Sequence, residues 1–126
     1  MKKILCVDDD PNILELYKEE FSEEGYHVIP ARNGKEALRK FESEKFDVVV
    51  MDIGMPQRGG IETLMAMLGK DRQASVILNT SYPQYRDNFM TWGAEVYVVK
   101  SSDLSELKMK IREVLDRRKK AEQTEV

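Results

Sequence analysis

Ile4-Leu5-Cys6-Val7-Asp8-Asp9-Asp10-Pro11 holds the end of a strand and the start of a helix within a few residues. The first four are apolar without alternation, which suits a strand covered on both faces rather than one side of a half-exposed sheet. Asp10 followed by Pro11 reads as an N-cap and a first-turn proline: the carboxylate takes an orphan N–H, and the donor that proline lacks has no partner there anyway. Beyond them Ile13, Leu14, Tyr17 and Phe21 fall on one helical face. Such a compact strand-to-helix passage opens a βα unit.

The same unit recurs outward along the chain. Apolar, β-branched runs at Val28 to Ile29, Val48 to Met51, Val76 to Leu78 and Val96 to Val99 predict four more strands. Between and after them, helical faces show in Ala37, Leu38 and Phe41, in Ile61, Leu64, Met65 and Leu68, and in Leu104, Leu107, Ile111, Val114 and Leu115. Asn33 with Glu36 and Asp103 with Glu106 resemble capping boxes. The polar stretch Tyr82 to Phe89, with Pro83 near its start, gives a weak signal for a fourth helix. Strands alternating with helices predict an α/β domain with a doubly wound parallel sheet and helices on both faces. It is expected to fill residues 1–126, with 117–126 forming a helix end and flexible tail.

Composition narrows the function classes. Of 126 residues, 41% are hydrophobic and 34% charged, a globular balance, and no apolar run approaches the roughly 20 residues needed to span a bilayer. The apolar stretch before Asp8 is too short for a signal peptide, so a cytoplasmic location without membrane insertion is expected. A net charge of -3 speaks against direct nucleic-acid binding. Arg117-Arg118-Lys119-Lys120 reads instead as cations at the negative end of a helix. Cys6, the single cysteine, reads as a small apolar strand residue, and His27, the single histidine, as structural.

Ligands of open α/β sheets bind beyond the carboxyl ends of the strands, so the strand ends carry the chemistry. The first ends in Asp8-Asp9-Asp10, the third in Asp52, the fourth in Thr80-Ser81 and the fifth in Lys100. If strands one and three are neighbours, their end residues lie about 5 to 10 Å apart and carboxylates crowd one pocket. Crowding is relieved by protonating one acid or by placing a divalent cation among the oxygens. An all-oxygen set suits Mg²⁺, whereas Zn²⁺ prefers His or Cys. Metal, lysine and hydroxyl around one further carboxylate are the parts of phosphoryl transfer, with Asp52, aimed by a rigid strand, as nucleophile. Gly54, Pro56, Gly59 and Gly60 then form a loop where backbone can approach a metal.

Val7-Asp8-Asp9-Asp10-Pro11, Met51-Asp52-Ile53-Gly54-Met55-Pro56, Gly60-Ile61-Glu62, Thr80-Ser81 and Gly93-Ala94 to Lys100 together resemble the receiver domain of bacterial response regulators over nearly the whole chain. The resemblance implies a flavodoxin-like strand order 2-1-3-4-5. It implies Asp52 as phosphoacceptor, Mg²⁺ held by Asp9 directly, by Asp8 partly through water, by Asp52 and by the Gly54 carbonyl, and Thr80 and Lys100 on the phosphoryl oxygens. Tyr97 resembles the aromatic switch residue that turns inward as the Thr80 hydroxyl moves toward phosphate. The implied partners are a sensor histidine kinase or phosphotransfer protein and a downstream protein. The downstream partner would read the face of the fourth helix, fifth strand and fifth helix, and the chain would be a monomer or weak dimer. As a receiver the chain would catalyse its own phosphorylation and dephosphorylation.

Two departures from that family stand out. Many receivers follow the lysine with a cis proline, where this chain has Lys100-Ser101-Ser102, and a non-proline cis bond costs about 2.5 to 4 kcal/mol. Gly54 and Tyr82 occupy the positions that tune phosphoaspartate lifetime in the family. Among rivals, a phosphohydrolase of the haloacid dehalogenase kind lacks its alternating acid motif here. A flavin phosphate would be repelled by the acids at the first strand's end. A phosphorylation-independent binding module of the same fold has no need of the acids, Thr80 or Lys100.

Overall fold

The computed structural model describes residues 1–52, 59–81 and 93–124. Strand β1 (Lys3–Val7) leads to α1 (Pro11–Glu23), β2 (His27–Ala31), α2 (Gly34–Ser43), β3 (Val48–Met51), α3 (Gly60–Lys70), β4 (Val76–Thr80), β5 (Val96–Val99) and α4 (Ser105–Thr124). The last helix is the fifth of those expected from the sequence, because the expected helix over Tyr82 to Phe89 lies outside the described residues. All strand pairs are parallel, in the order β2-β1-β3-β4-β5 that the resemblance implied.

Local chemistry sets the helix boundaries. Asp10 caps α1 by accepting from the Asn12 N–H at 2.9 Å, with Pro11 in the first turn. Asn33 caps α2 by accepting from Glu36 N–H at 2.8 Å. The return bond of that box goes one residue further back, from the Arg32 N–H to the Glu36 carboxylate. Asp103 also accepts a backbone N–H, but from Ser105, closing an Asx turn before α4 in place of the expected box with Glu106. At the end of α1, Gly25 at φ 91 completes a Schellman pair, with Gly25 N–H on Ser22 O and Tyr26 N–H on Phe21 O.

The sheet is packed on both faces, as its unalternating strands require. On one face Leu14, Tyr17 and Phe21 of α1 join Leu107, Ile111, Val114 and Leu115 of α4 over Ile4, Cys6, Val50, Ile77 and Val98. On the other face Ala37 of α2 and Leu64 and Met67 of α3 cover Leu5, Val7, Val49, Met51 and Leu78. The α3 face differs from the sequence expectation. Gly60, Thr63, Leu64 and Met67 point inward, while Ile61 and Met65 are 40% and 53% exposed. The α2 backbone comes so close at Gly34 that a Cβ there would lie 2.3 Å from Thr63 Oγ1, so α3 turns its small Thr63 toward α2. Past Arg117 the last helix continues to Thr124, and Arg118 donates to Gln73 O at 3.0 Å and Ser75 Oγ at 2.9 Å. No helix among the described residues is long and apolar enough to cross a membrane.

Candidate functional site

The register of the sheet brings the expected residues to one rim. Val7 pairs with Met51 and Met51 with Leu78, so Asp8 and Asp52, each one residue further on, stand level at the carboxyl ends of β1 and β3. Backbone bonds continue past the strands and fix both acids: Asp8 N–H donates to Ala31 O and Asp52 N–H to Val7 O. Lys100 is held in the same way by its N–H on Thr80 O at 2.7 Å. From that anchor its ammonium donates to Asp8 Oδ2 and to Asp52 Oδ2, both at 2.8 Å. Asp8 also accepts the Asp10 N–H at 2.9 Å.

Burial gives these contacts their weight. Asp8 is 1% exposed and Asp52 8%, whereas Asp9 is exposed. Burial pushes the Asp8 carboxyl above its ordinary range, and the Lys100 ammonium and Asp10 N–H offset only part of that rise. Lys100 feels the opposite balance: burial disfavours its charge, but the hydrogen bonds to Asp52 and Asp8 outweigh it and hold the ammonium above the usual lysine range. Oxygens of Asp8, Asp9 and Asp52 lie within 4.8 Å of one another, a spacing at which one cation can touch all three. The donor set is carboxylate only, which fits a hard divalent ion such as Mg²⁺ and not Zn²⁺.

Thr80 closes β4 fully buried, and Tyr97 lies in β5 at 5% exposure, packed with the α2 and α3 core. Gly54 and Tyr82 lie outside the described residues, and no cis peptide occurs among the described ones. Sequence reasoning missed a buried polar pair: Asn79 Nδ2 donates to the Tyr17 hydroxyl. Its signal was an amide directly after the apolar run Val76-Ile77-Leu78 and before Thr80. Burial raises the Tyr17 phenol to about 12 from 10.0, so the fold favours its neutral form. That contribution is complete below pH 10.0 and is lost as pH rises through about 12. We expect alkaline unfolding to begin in this window and to be less steep in Tyr17→Phe. Stability measured by urea against pH checks it, and identical alkaline limbs would refute it.

The response regulator receiver domain family matches residues 4–112. This chain belongs to that family. Among solved structures, the receiver resembles response regulator protein TrrA from Thermotoga maritima in complex with Mg²⁺-BeF. The TM-score is 0.86 at 49% identity, over 91% of this chain and 100% of that one. TrrA in complex with histidine kinase ThkA gives 0.84 at 49% identity, over 91% and 99%. Transcriptional regulatory protein CpxR of Escherichia coli is 37% identical over 125 residues, covering 98% of this chain and 53% of CpxR. The receiver spans between a quarter and about half the length of the curated relatives it matches.

Proposed function

We propose that this receiver is a phosphorylation-dependent switch whose acceptor is Asp52, working in the cytoplasm with Mg²⁺ held by Asp8, Asp9 and Asp52. The observation that carries the reading is the Asp52 carboxylate at a strand end, bonded to Lys100 Nζ at 2.8 Å beside two further acids. The TrrA complexes with Mg²⁺-BeF and with a histidine kinase support it by similarity. A sensor histidine kinase or phosphotransfer protein is then the donor.

In the transfer, an Asp52 carboxylate oxygen attacks phosphorus, the bond from phosphorus to the donor imidazole breaks, and its electron pair leaves with the imidazole. Lys100 lies where it can pair with the incoming negative oxygens, and Thr80 at the neighbouring strand end supplies a hydroxyl. A bound divalent cation supplies charge neutralisation on the transferring oxygens. The Gly54 carbonyl is the further metal ligand in this reading. Water attack on the acyl phosphate returns the carboxylate and releases inorganic phosphate.

Phosphorylation adds about -1.5 to -2 charge. Drawing Thr80 and Lys100 toward it biases β5, where Tyr97 acts as the switch, and so alters the surface shared with the last helix. Between β5 and α4 a groove of about 800 Å³, lined by Tyr97, Glu106, Lys110 and Arg117 among others, offers a downstream protein both charge signs.

Intact-protein mass after incubation with phosphoramidate tests the reading. Wild type is expected to gain one phosphoryl group only with Mg²⁺, and Asp52→Asn none. If wild type gains no mass, the switch reading fails and a phosphorylation-independent binding module takes its place.

A further inference from the structure

Lys100 does not sit beside the acids it binds. In the order β1-β3-β4-β5, its stem starts on β5 and must cross β4 to reach Asp52 on β3 and Asp8 on β1. Side chains alternate along strands, so Cys6 and Asp8, Val50 and Asp52, Ile77 and Asn79, and Val98 and Lys100 share the face covered by α1 and α4. Asn79 follows Leu78, the partner of Met51, and therefore stands level with Asp52 on the adjoining strand. On its other side Asn79 pairs with Val98, so it lies between the strand that carries Asp52 and the strand from which Lys100 extends.

Asn79 is itself tethered. Its amide donates to the Tyr17 hydroxyl, and the Tyr17 ring stacks on Phe21 of the same helix at 5.3 Å. Asn79 is 3% exposed and Tyr17 4%, so both polar groups are desolvated for the sake of this bond. An apolar pair of similar shape would fill the core about as stably, so packing alone does not account for it. The Lys100 charge favours ionisation of the Tyr17 phenol and the Asp8 charge opposes it, so the hydroxyl responds to both groups as well as to the amide.

We infer that Tyr17 and Asn79 are positioning residues, a polar shelf fixed to α1 that keeps the Lys100 stem aimed at Asp52. The inference concerns the geometry of Lys100, and its effect on rate rests on the proposed function of Asp52. The test uses the full chain and the double variant Tyr17→Phe/Asn79→Leu, which removes both polar groups together. Three quantities are read: the urea transition, the lysine ammonium NMR signal of Lys100, and the rate of phosphorylation by phosphoramidate with Mg²⁺.

The expected result is a single cooperative urea transition, loss of the slowly exchanging Lys100 ammonium signal, and phosphorylation slowed about tenfold. A double variant that keeps the ammonium signal and the wild-type rate overturns the inference and leaves the pair as a core contact. Tyr17→Phe alone, with its ring still stacked on Phe21, gives the same readouts should the double variant not fold. If wild type takes no phosphoryl group, the ammonium signal still decides the shelf, and only the switch reading falls.

Discussion

Lys100→Met is expected to unfold about 3–5 kcal/mol more easily than wild type in metal-free buffer at neutral pH. The ammonium is the shared partner of Asp8 and Asp52, and the Lys100, Asp8 and Asp52 side chains are only 22%, 2% and 10% exposed. Methionine keeps most of the stem's volume and removes the charge, leaving two carboxylates side by side with little water to screen them. An exposed ion pair is worth under about 1 kcal/mol, so the size of the loss separates a buried triad from a surface contact.

The pH dependence of that loss has a definite sign. Burial already raises the Asp8 carboxyl in wild type, and removing Lys100 takes away the groups that restrain the rise. A raised acid binds its proton more tightly in the fold, so the stability tied to it grows as pH falls. The gap between variant and wild type should therefore narrow on mild acidification. Urea titrations at several pH values measure it, and a gap below about 1 kcal/mol at neutral pH would show that the triad is solvated like a surface pair.

Much of this site was readable because each residue ends an apolar run. Val48-Val49-Val50-Met51 has no polar residue to blur where β3 stops, so Asp52 was placed without ambiguity, as was Lys100 after Val96 to Val99. Periodicity failed where an apolar residue faces water. Ile61 and Met65 fit a helical stripe with Leu64 and Leu68, yet tight packing at Gly34 brings Thr63 inward and turns those two out. The Tyr17–Asn79 bond joins residues 62 apart in sequence, and no local pattern encodes such a contact. Tyr17 had an ordinary reading as part of a helix face, and Asn79 fell between the apolar run Val76 to Leu78 and the strand end at Thr80 without a reading of its own.

Magnesium should stabilise the fold through an acid that the metal-free fold does not need. Asp8 is committed to Lys100 and to the Asp10 N–H, and Asp52 to Lys100, whereas Asp9 is exposed at the rim with an oxygen in the same 4.8 Å cluster. At a hundredfold over its Kd, Mg²⁺ adds about 2.7 kcal/mol to the unfolding free energy. Asp9→Asn should leave metal-free stability within about 0.5 kcal/mol of wild type, because it alters an exposed side chain, and should lose most of the magnesium increment. Urea unfolding with Mg²⁺ or with chelator, for both proteins, gives the four values required. Equal increments would remove Asp9 from the ligand set. A large metal-free loss would instead make Asp9 part of the fold's own support, so that Lys100 alone could not balance the acids of the rim.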